Sequence, residues 1–235
     1  MGQPLYERGQ TETPILRFSG QIFEPLLSGA LHWPVQRTLL VADLHLEKMS
    51  AFARTGQMLP PYDTGITLAR LEADLRRTGA QRLVSLGDSF HRNEGVSTLS
   101  ELDRARIDAM TDMAEWVWLS GNHDPAPHAL GGQCRSSLDV AGLTLMHEPQ
   151  RDARGLIAGH LHPAARVAMA GRTSRNPCFV HDNRLMILPA YGASTGSINI
   201  LSAAFMGLLH WPGLEVTMLG RDRLYPVSPR RLVRG

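Results

Sequence analysis

The sequence predicts a two-sheet α/β sandwich with flanking helices, and three observations carry that expectation. The first half alternates strand-like apolar runs with helix-like stretches in the order strand, helix, strand, helix, strand, the pattern of a mixed sheet with crossover connections. The second half adds short strand-like segments without long helices, which fits two packed sheets better than a barrel. The chain has 235 residues, 43% hydrophobic and 20% charged, the make-up of an ordinary globular chain able to fill a sizeable core. A single domain over residues 1–235 is expected.

In chain order, residues 15–18 (ILRF), 29–33 (GALHW) and 38–43 (TLLVAD) read as strands. The last is a continuous apolar run ending on a polar residue, as expected of a strand buried on both faces with a site at its carboxyl end. Residues 51–62 are rich in turn formers and read as a loop that could face substrate through Arg54. A helix is expected over 63–77, with Asp63 or Thr64 as cap, Ile66, Leu68, Leu71 and Leu75 as its apolar face, and Gly79 as its stop. Then come a strand at 82–88 (RLVSLGD), a polar loop, a helix over 97–113 and a strand at 115–119 (EWVWL). Residues 138–140 and 143–147 flank Ala141-Gly142 and read as a hairpin. The segment GLIAGH ends at His160, and further short strands are expected around CFVHD, RLMILPA, SINIL and EVTML.

Composition narrows the function classes. A net charge of +2 does not by itself argue for nucleic acid or membrane, and Lys48 is the only lysine. The cysteines Cys134 and Cys178 form no CxxC and no disulfide framework, so free thiols and a reducing compartment are the simpler reading. The first residues, MGQPLYERGQTETP, have no apolar core and do not read as a signal peptide, and no run of about 18 apolar residues occurs. A cytoplasmic location away from membranes is the expectation.

The ten histidines matter by position. Four strand-like runs end in the same chemistry: Asp43-Leu-His45, Gly87-Asp88, Gly121-Asn122-His123-Asp124 and Gly159-His160-Leu-His162, with His147 ending a fifth. Ligands of open α/β sheets collect beyond strand carboxyl ends, so these segments can converge. Carboxylate, imidazole and carboxamide donors without thiolate suit Mn²⁺, Fe or Zn²⁺. The period of two in DxH and HxH puts both side chains on one face if the strand continues through them. His32, His128, His181 and His210 fall in no motif and read as structural.

The ordered set DxH, GD, GNHD, His and GHxH resembles the calcineurin-like metallophosphoesterase superfamily over about Thr38 to His162. DLHLEK, LPPYDT, GDSFHR, MHEP, GHLHPAARV and LPAYGASTG are similar more narrowly to the bacterial ligase-associated DNA damage response endonucleases, the PdeM group. The resemblance implies a sandwich of the metallophosphoesterase type. It implies one metal held by Asp43, His45, Asp88 and His162, and a second held by Asp88, Asn122, His147 and His160. It also implies that His123 works on the substrate; His91 of GDSFHR is a second catalytic candidate and Arg92 a substrate-binding one, the alternative for both being solvated loop residues. Many phosphatases of the superfamily have Asp where His91 stands; histidine there resembles the double-strand-break repair nucleases, and it leaves the partner of His123 open.

By the same resemblance the chain is expected to be a Mn²⁺-dependent phosphodiesterase, a DNA endonuclease in repair acting on single-stranded DNA. A DNA ligase, a helicase and a second nuclease would be its functional partners. The charges agree: two divalent ions balanced by two carboxylates and a hydroxide leave a single positive charge, suited to a monoanionic diester. Two alternatives stay open, a nucleotide, pyrophosphate or lipid-linked phosphate hydrolase with the same metals, and a non-catalytic interaction scaffold. The C-terminal RDRLYPVSPRRLVRG, with five arginines and one acid, could contact phosphates or be a solvated tail.

Overall fold

A computed structural model describes residues 14–50, 62–169 and 171–234. The loop at 51–61, Arg54 included, lies outside the described residues. The described residues form two sheets. The first runs β1 (Leu16–Phe18), β2 (Gln21–Pro25), β3 (Leu31–Trp33), β4 (Thr38–Val41), β5 (Arg82–Ser85), β6 (Glu115–Leu119) and β7 (Gln133–Arg135) in spatial order. β1 to β4 pair antiparallel, whereas β4, β5, β6 and β7 are parallel. Helices α1 (Asp63–Thr78) and α3 (Glu101–Met113) are the crossovers that parallel pairing needs, with the single turn α2 (Gly95–Thr98) ahead of α3.

The second sheet contains β8 (Ser137–Val140), β9 (Leu143–Met146), β10 (Leu156–Ala158), β11 (Pro163–Met169), β12 (Arg172–His181), β13 (Leu185–Ile187) and β14 (Ile198–Asn199). Their spatial order is β14, β11, β12, β13, β10, β9, β8. β15 (Glu215–Leu219) pairs with the inner half of β12, and β16 (Leu224–Val227) pairs with β15.

Side-chain alternation shows why the sheets stack. Leu39, Val41, Leu83, Trp116 and Trp118 point toward α1 and α3, where Leu68, Leu71, Leu75 and Ile107 meet them. Leu40, Val84, Val117 and Leu119 point the other way, onto Leu145, Ile157, Phe179 and Met186 of the second sheet. A third cluster, including Val180, Ile187, Phe205 and Val216, covers the outer face of the second sheet. Both faces of β4 are therefore buried, as its unbroken apolar run predicts. Each large apolar side chain so covered contributes roughly 1.5–3 kcal/mol.

Several expectations are corrected. The strand expected at 38–43 stops at Val41, and the one ending at His160 stops at Ala158. α1 is entered without a side-chain cap; Asp63 accepts from the Met49 N–H (3.1 Å) and Thr64 accepts from the Glu47 N–H (2.8 Å). Ile66 is exposed, leaving the buried face of α1 to Leu68, Leu71 and Leu75. The helix expected over 97–113 is broken at Leu99–Ser100, where the Ser100 hydroxyl accepts from the Asp103 N–H and caps α3. β2, β7, β11 and β16 are strands that the sequence pattern does not predict. The C-terminal segment is docked rather than a solvated tail, since the Val233 N–H donates to Arg166 O (2.9 Å) and Leu232 bridges Val167. Among the described residues no helix is long and apolar enough to cross a membrane.

Candidate metal centre

The parallel strands β4, β5 and β6, with β9 and β10 of the other sheet, deliver their carboxyl ends to one place. Asp43 and His45 follow β4, Asp88 follows β5, Asn122 and His123 follow β6, His147 follows β9, and His160 and His162 follow β10. Asp43, His45, Asp88, His160 and His162 all have positive φ, between 44° and 71°. Such backbone costs non-glycine residues of order 1–3 kcal/mol each and persists where the surroundings hold it. The two side chains of DxH are thus aimed by left-handed turns past a strand end, not by strand alternation, and those of HxH diverge into different clusters.

Those clusters are Asp43 with His45 and His162, and Asp88 with His147 and His160, the donor atoms of each lying within 4.8 Å of one another. Asp88 spans them, with Oδ2 3.8 Å from His45 Nε2 and Oδ1 3.4 Å from His147 Nε2. Asn122 Oδ1 completes the second, 2.9 Å from both His147 Nε2 and His160 Nδ1. Asp43 accepts the His160 N–H on both carboxylate oxygens (3.1 and 3.0 Å), linking the two groups through backbone.

The donor set fits cations on hydrogen-bond grounds. His147 Nδ1 donates to Leu86 O (2.9 Å), so its Nε2 presents a lone pair to the Asn122 and Asp88 oxygens. His162 Nδ1 faces Gly196 O (3.2 Å), so its Nε2 presents a lone pair to His45 Nε2 (3.3 Å) and to Asp43 Oδ1 (3.4 Å). Acceptors aimed at acceptors repel unless a proton or a metal ion sits between them; between His45 and His162 a neutral imidazole N–H can serve, since His45 Nδ1 has no partner among the described residues. A proton answers at His147 as well. Burial opposes the charge on His147, but the hydrogen bond and charge of Asp88 and the charge of Asp43 outweigh it and lift the imidazole to about 9. Burial works against ionised Asp88 too, yet His147, the His123 N–H and His45 bring it down to about 2. Burial pushes His45 down to about 3 against the pull of Asp88, with His162 adding to it. His45 and His160, the latter also lowered by burial and by His147, are therefore neutral, the state in which imidazole ligates metal.

The remaining expected residues fall around this centre. His123 Nδ1 donates to the backbone carbonyl of His91 (3.1 Å), and its Nε2 lies 4.0 Å from Asp88 Oδ2. The partner of His123 is thus a carbonyl, which no residue type announces. The His91 ring stacks on that of His123 with centroids 5.4 Å apart, and burial together with His123 lowers its pKa. Arg92 is half-buried next to His91 and disfavours its charge. His32 pairs with Glu24 and His181 is buried beside Glu215, both outside the site.

The supports of the centre carry no signature of their own in the sequence, apart from Asp124, which stands in GNHD without an assigned role. Asp124 accepts from the Phe90 N–H (3.0 Å) and the Gly121 N–H (3.2 Å), tying the loop after β5 to the loop after β6; burial raises its carboxyl to about 6. Buried Glu47 accepts from the hydroxyls of Thr64 (3.0 Å) and Thr98 (3.1 Å), bracing the turn that carries His45. Arg70 donates to Tyr191 O, and the Tyr191 hydroxyl donates to Asp74 (2.9 Å), pinning the 191–196 segment to α1.

The two-sheet fold has a counterpart of known structure. The chain is similar to the Pseudomonas putida nuclease MPE at 28% identity and a TM-score of 0.70, over 91% of this chain and 99% of that one. The fold is of the metallophosphoesterase type. A looser likeness to the Escherichia coli phosphoesterase Yfce, at 13% identity and a TM-score of 0.36 over 84% of this chain and 96% of that one, carries no further weight. No family model matches the sequence, and no curated protein matches it. Within the metallophosphoesterase fold, the two clusters sit where the carboxyl ends of the strands meet, and together they suggest a dinuclear metal site.

Proposed function

We propose that the chain is a dinuclear metal-dependent phosphodiesterase that cuts DNA. The observation that carries the reading is the pair of Asp and His donor clusters, with the Asp88 carboxylate within 4 Å of an imidazole nitrogen in each. The likeness to nuclease MPE over nearly the full length of both chains supports nucleic acid as substrate.

In this reading Asp43, His45, Asp88 and His162 would hold one divalent ion, and Asp88, Asn122, His147 and His160 the other; the O/N donor set admits Mn²⁺, Fe and Zn²⁺, and the family resemblance favours Mn²⁺. Ions so held supply Lewis acidity at phosphorus and water acidified toward neutral pH. The protein supplies orientation and a proton. The carbonyl of His91 keeps Nδ1–H of His123 fixed, so Nε2 faces the reacting centre. From there His123 would donate a hydrogen bond or proton to the developing charge on phosphoryl oxygen or to the leaving alkoxide. His91, held toward neutrality, stacks on His123 without adding a second positive charge. Arg92 and Arg54 are assigned to substrate phosphates. A role in DNA repair beside a ligase, a helicase and a second nuclease completes the reading.

The test is a manganese-loaded assay on circular single-stranded DNA, which has no ends. Linear fragments, abolished in Asp88→Ala and His160→Ala, are expected. Strong preference for a phosphate monoester over both DNA and a small diester would replace the nuclease reading with that of a phosphatase.

A further inference from the structure

Charge is distributed unevenly along the chain. Residues 1–162 carry fifteen basic and nineteen acidic residues, whereas residues 163–235 carry nine arginines against three acids. The hairpin of β11 and β12 leaves the metal centre directly after His162 and contains Arg166, Arg172 and Arg175 without any acid. Arg166 and Arg175 stand opposite each other across its ladder. Like charges so placed repel. Among the described residues neither makes an ion pair; Arg166 donates to the Thr173 hydroxyl (3.4 Å) and Arg175 to the Ser197 carbonyl.

The anchoring of Arg175 ties the pair to the centre. The Ser197 carbonyl that accepts from Arg175 adjoins the Gly196 carbonyl that faces His162 Nδ1. β14 holds this register by pairing with the first residues of β11. The docked C-terminal segment adds positive potential, because Val233 binds Arg166 O and so places Arg234 and Arg231 along the same strand. Arg175 is exposed and Arg166 half-buried, on a ladder that starts at a metal-ligand candidate.

We propose that Arg166 and Arg175 form a phosphate-binding surface that leads a nucleic-acid strand away from the scissile position. An anion between them removes the cross-strand repulsion, which no ion pair among the described residues answers. The proposal rests on the nuclease reading and adds where the strand lies beyond the reacting phosphate.

The test uses manganese-loaded full-length enzyme and a single-stranded thymidylate 20-mer, with KM and kcat measured across a salt series. Arg166→Gln/Arg175→Gln is expected to raise KM about tenfold while kcat moves much less, and to make the salt dependence shallower by about 1.4 in log–log slope, from two lost phosphate contacts. A control, Arg76→Gln/Arg82→Gln, removes two cations from the opposite end of the strands and should keep the wild-type slope. Arg175→Gln alone should shift the slope by about half as much. A double variant with wild-type KM and slope overturns the proposal while leaving the nuclease reading intact. A wild-type enzyme that neither binds nor cleaves the 20-mer overturns both.

Discussion

Gly121 is pressed against Asp88 so closely that a Cβ there would overlap both the Asp88 backbone nitrogen and its carboxylate, with Asp124 also too near. Backbone cannot yield as a flexible side-chain end can. Gly121→Ala should therefore displace the residue shared by both clusters, reducing DNA cleavage by roughly 100-fold or more while the far-ultraviolet dichroism stays native. A variant with near wild-type turnover would show that Asp88 need not sit where it does. His123 gives a complementary case, because its side chain lies beside the clusters and belongs to neither. His123→Ala should lower kcat by about 10²–10⁴ with the bound-metal content, read by elemental analysis, unaltered. Loss of metal along with activity would make His123 a ligand instead. The residue types at the centre were legible in the sequence, since Asp43, His45, Asp88, Asn122, His147, His160 and His162 do converge. Their left-handed backbone and the carbonyl partners from Leu86, His91 and Gly196 were not. A carbonyl belongs to every residue and leaves no mark in a sequence.

Elements differ in how openly they announce themselves. β4, β5 and β6 are short apolar runs buried on both faces, and α1 has a helical apolar stripe stopped by Gly79, so pattern and packing agree. β11 reads PAARVAM, poor in β-branched residues and begun by proline, and its strand form comes from pairing with β12 and β14 rather than from local preference. The turn between β12 and β13 depends on one buried carboxylate. Asp182 accepts from the Arg184 N–H (2.7 Å), the Leu185 N–H (2.9 Å) and the His210 N–H (2.8 Å). Burial alone would raise its pKa, but these donors and the Arg184 guanidinium outweigh it and hold it below the ordinary carboxylate value. A depressed folded-state pKa gives stability that is full above the unfolded value and fades as pH falls through the folded one. Asp182→Ala should thus cost about 3 kcal/mol at pH 7, and the gap from wild type should narrow in urea titrations near pH 3. An equal gap at both pH values would assign the effect to packing.

At the scale of the whole molecule, the two sheets matter because each contributes part of what neither holds alone. Asp43, His45, Asp88 and Asn122 come from the first, and His147, His160 and His162 from the second. The inter-sheet core of Phe23, Trp33, Leu40, Ile157 and Phe179 therefore sets the spacing of the clusters as well as the stability of the fold. The centre should then form only in the folded chain, and bound metal should in turn raise its melting temperature, since a ligand of the native state alone stabilises it.

If Asp88 joins two cation positions, manganese can be counted on either side of it. Crystals of the manganese-loaded protein, read by anomalous scattering, should show two peaks about 3.5–4 Å apart on either side of the Asp88 carboxylate. Both should weaken or vanish in Asp88→Ala. A single peak, or two that do not share Asp88, would contradict the account.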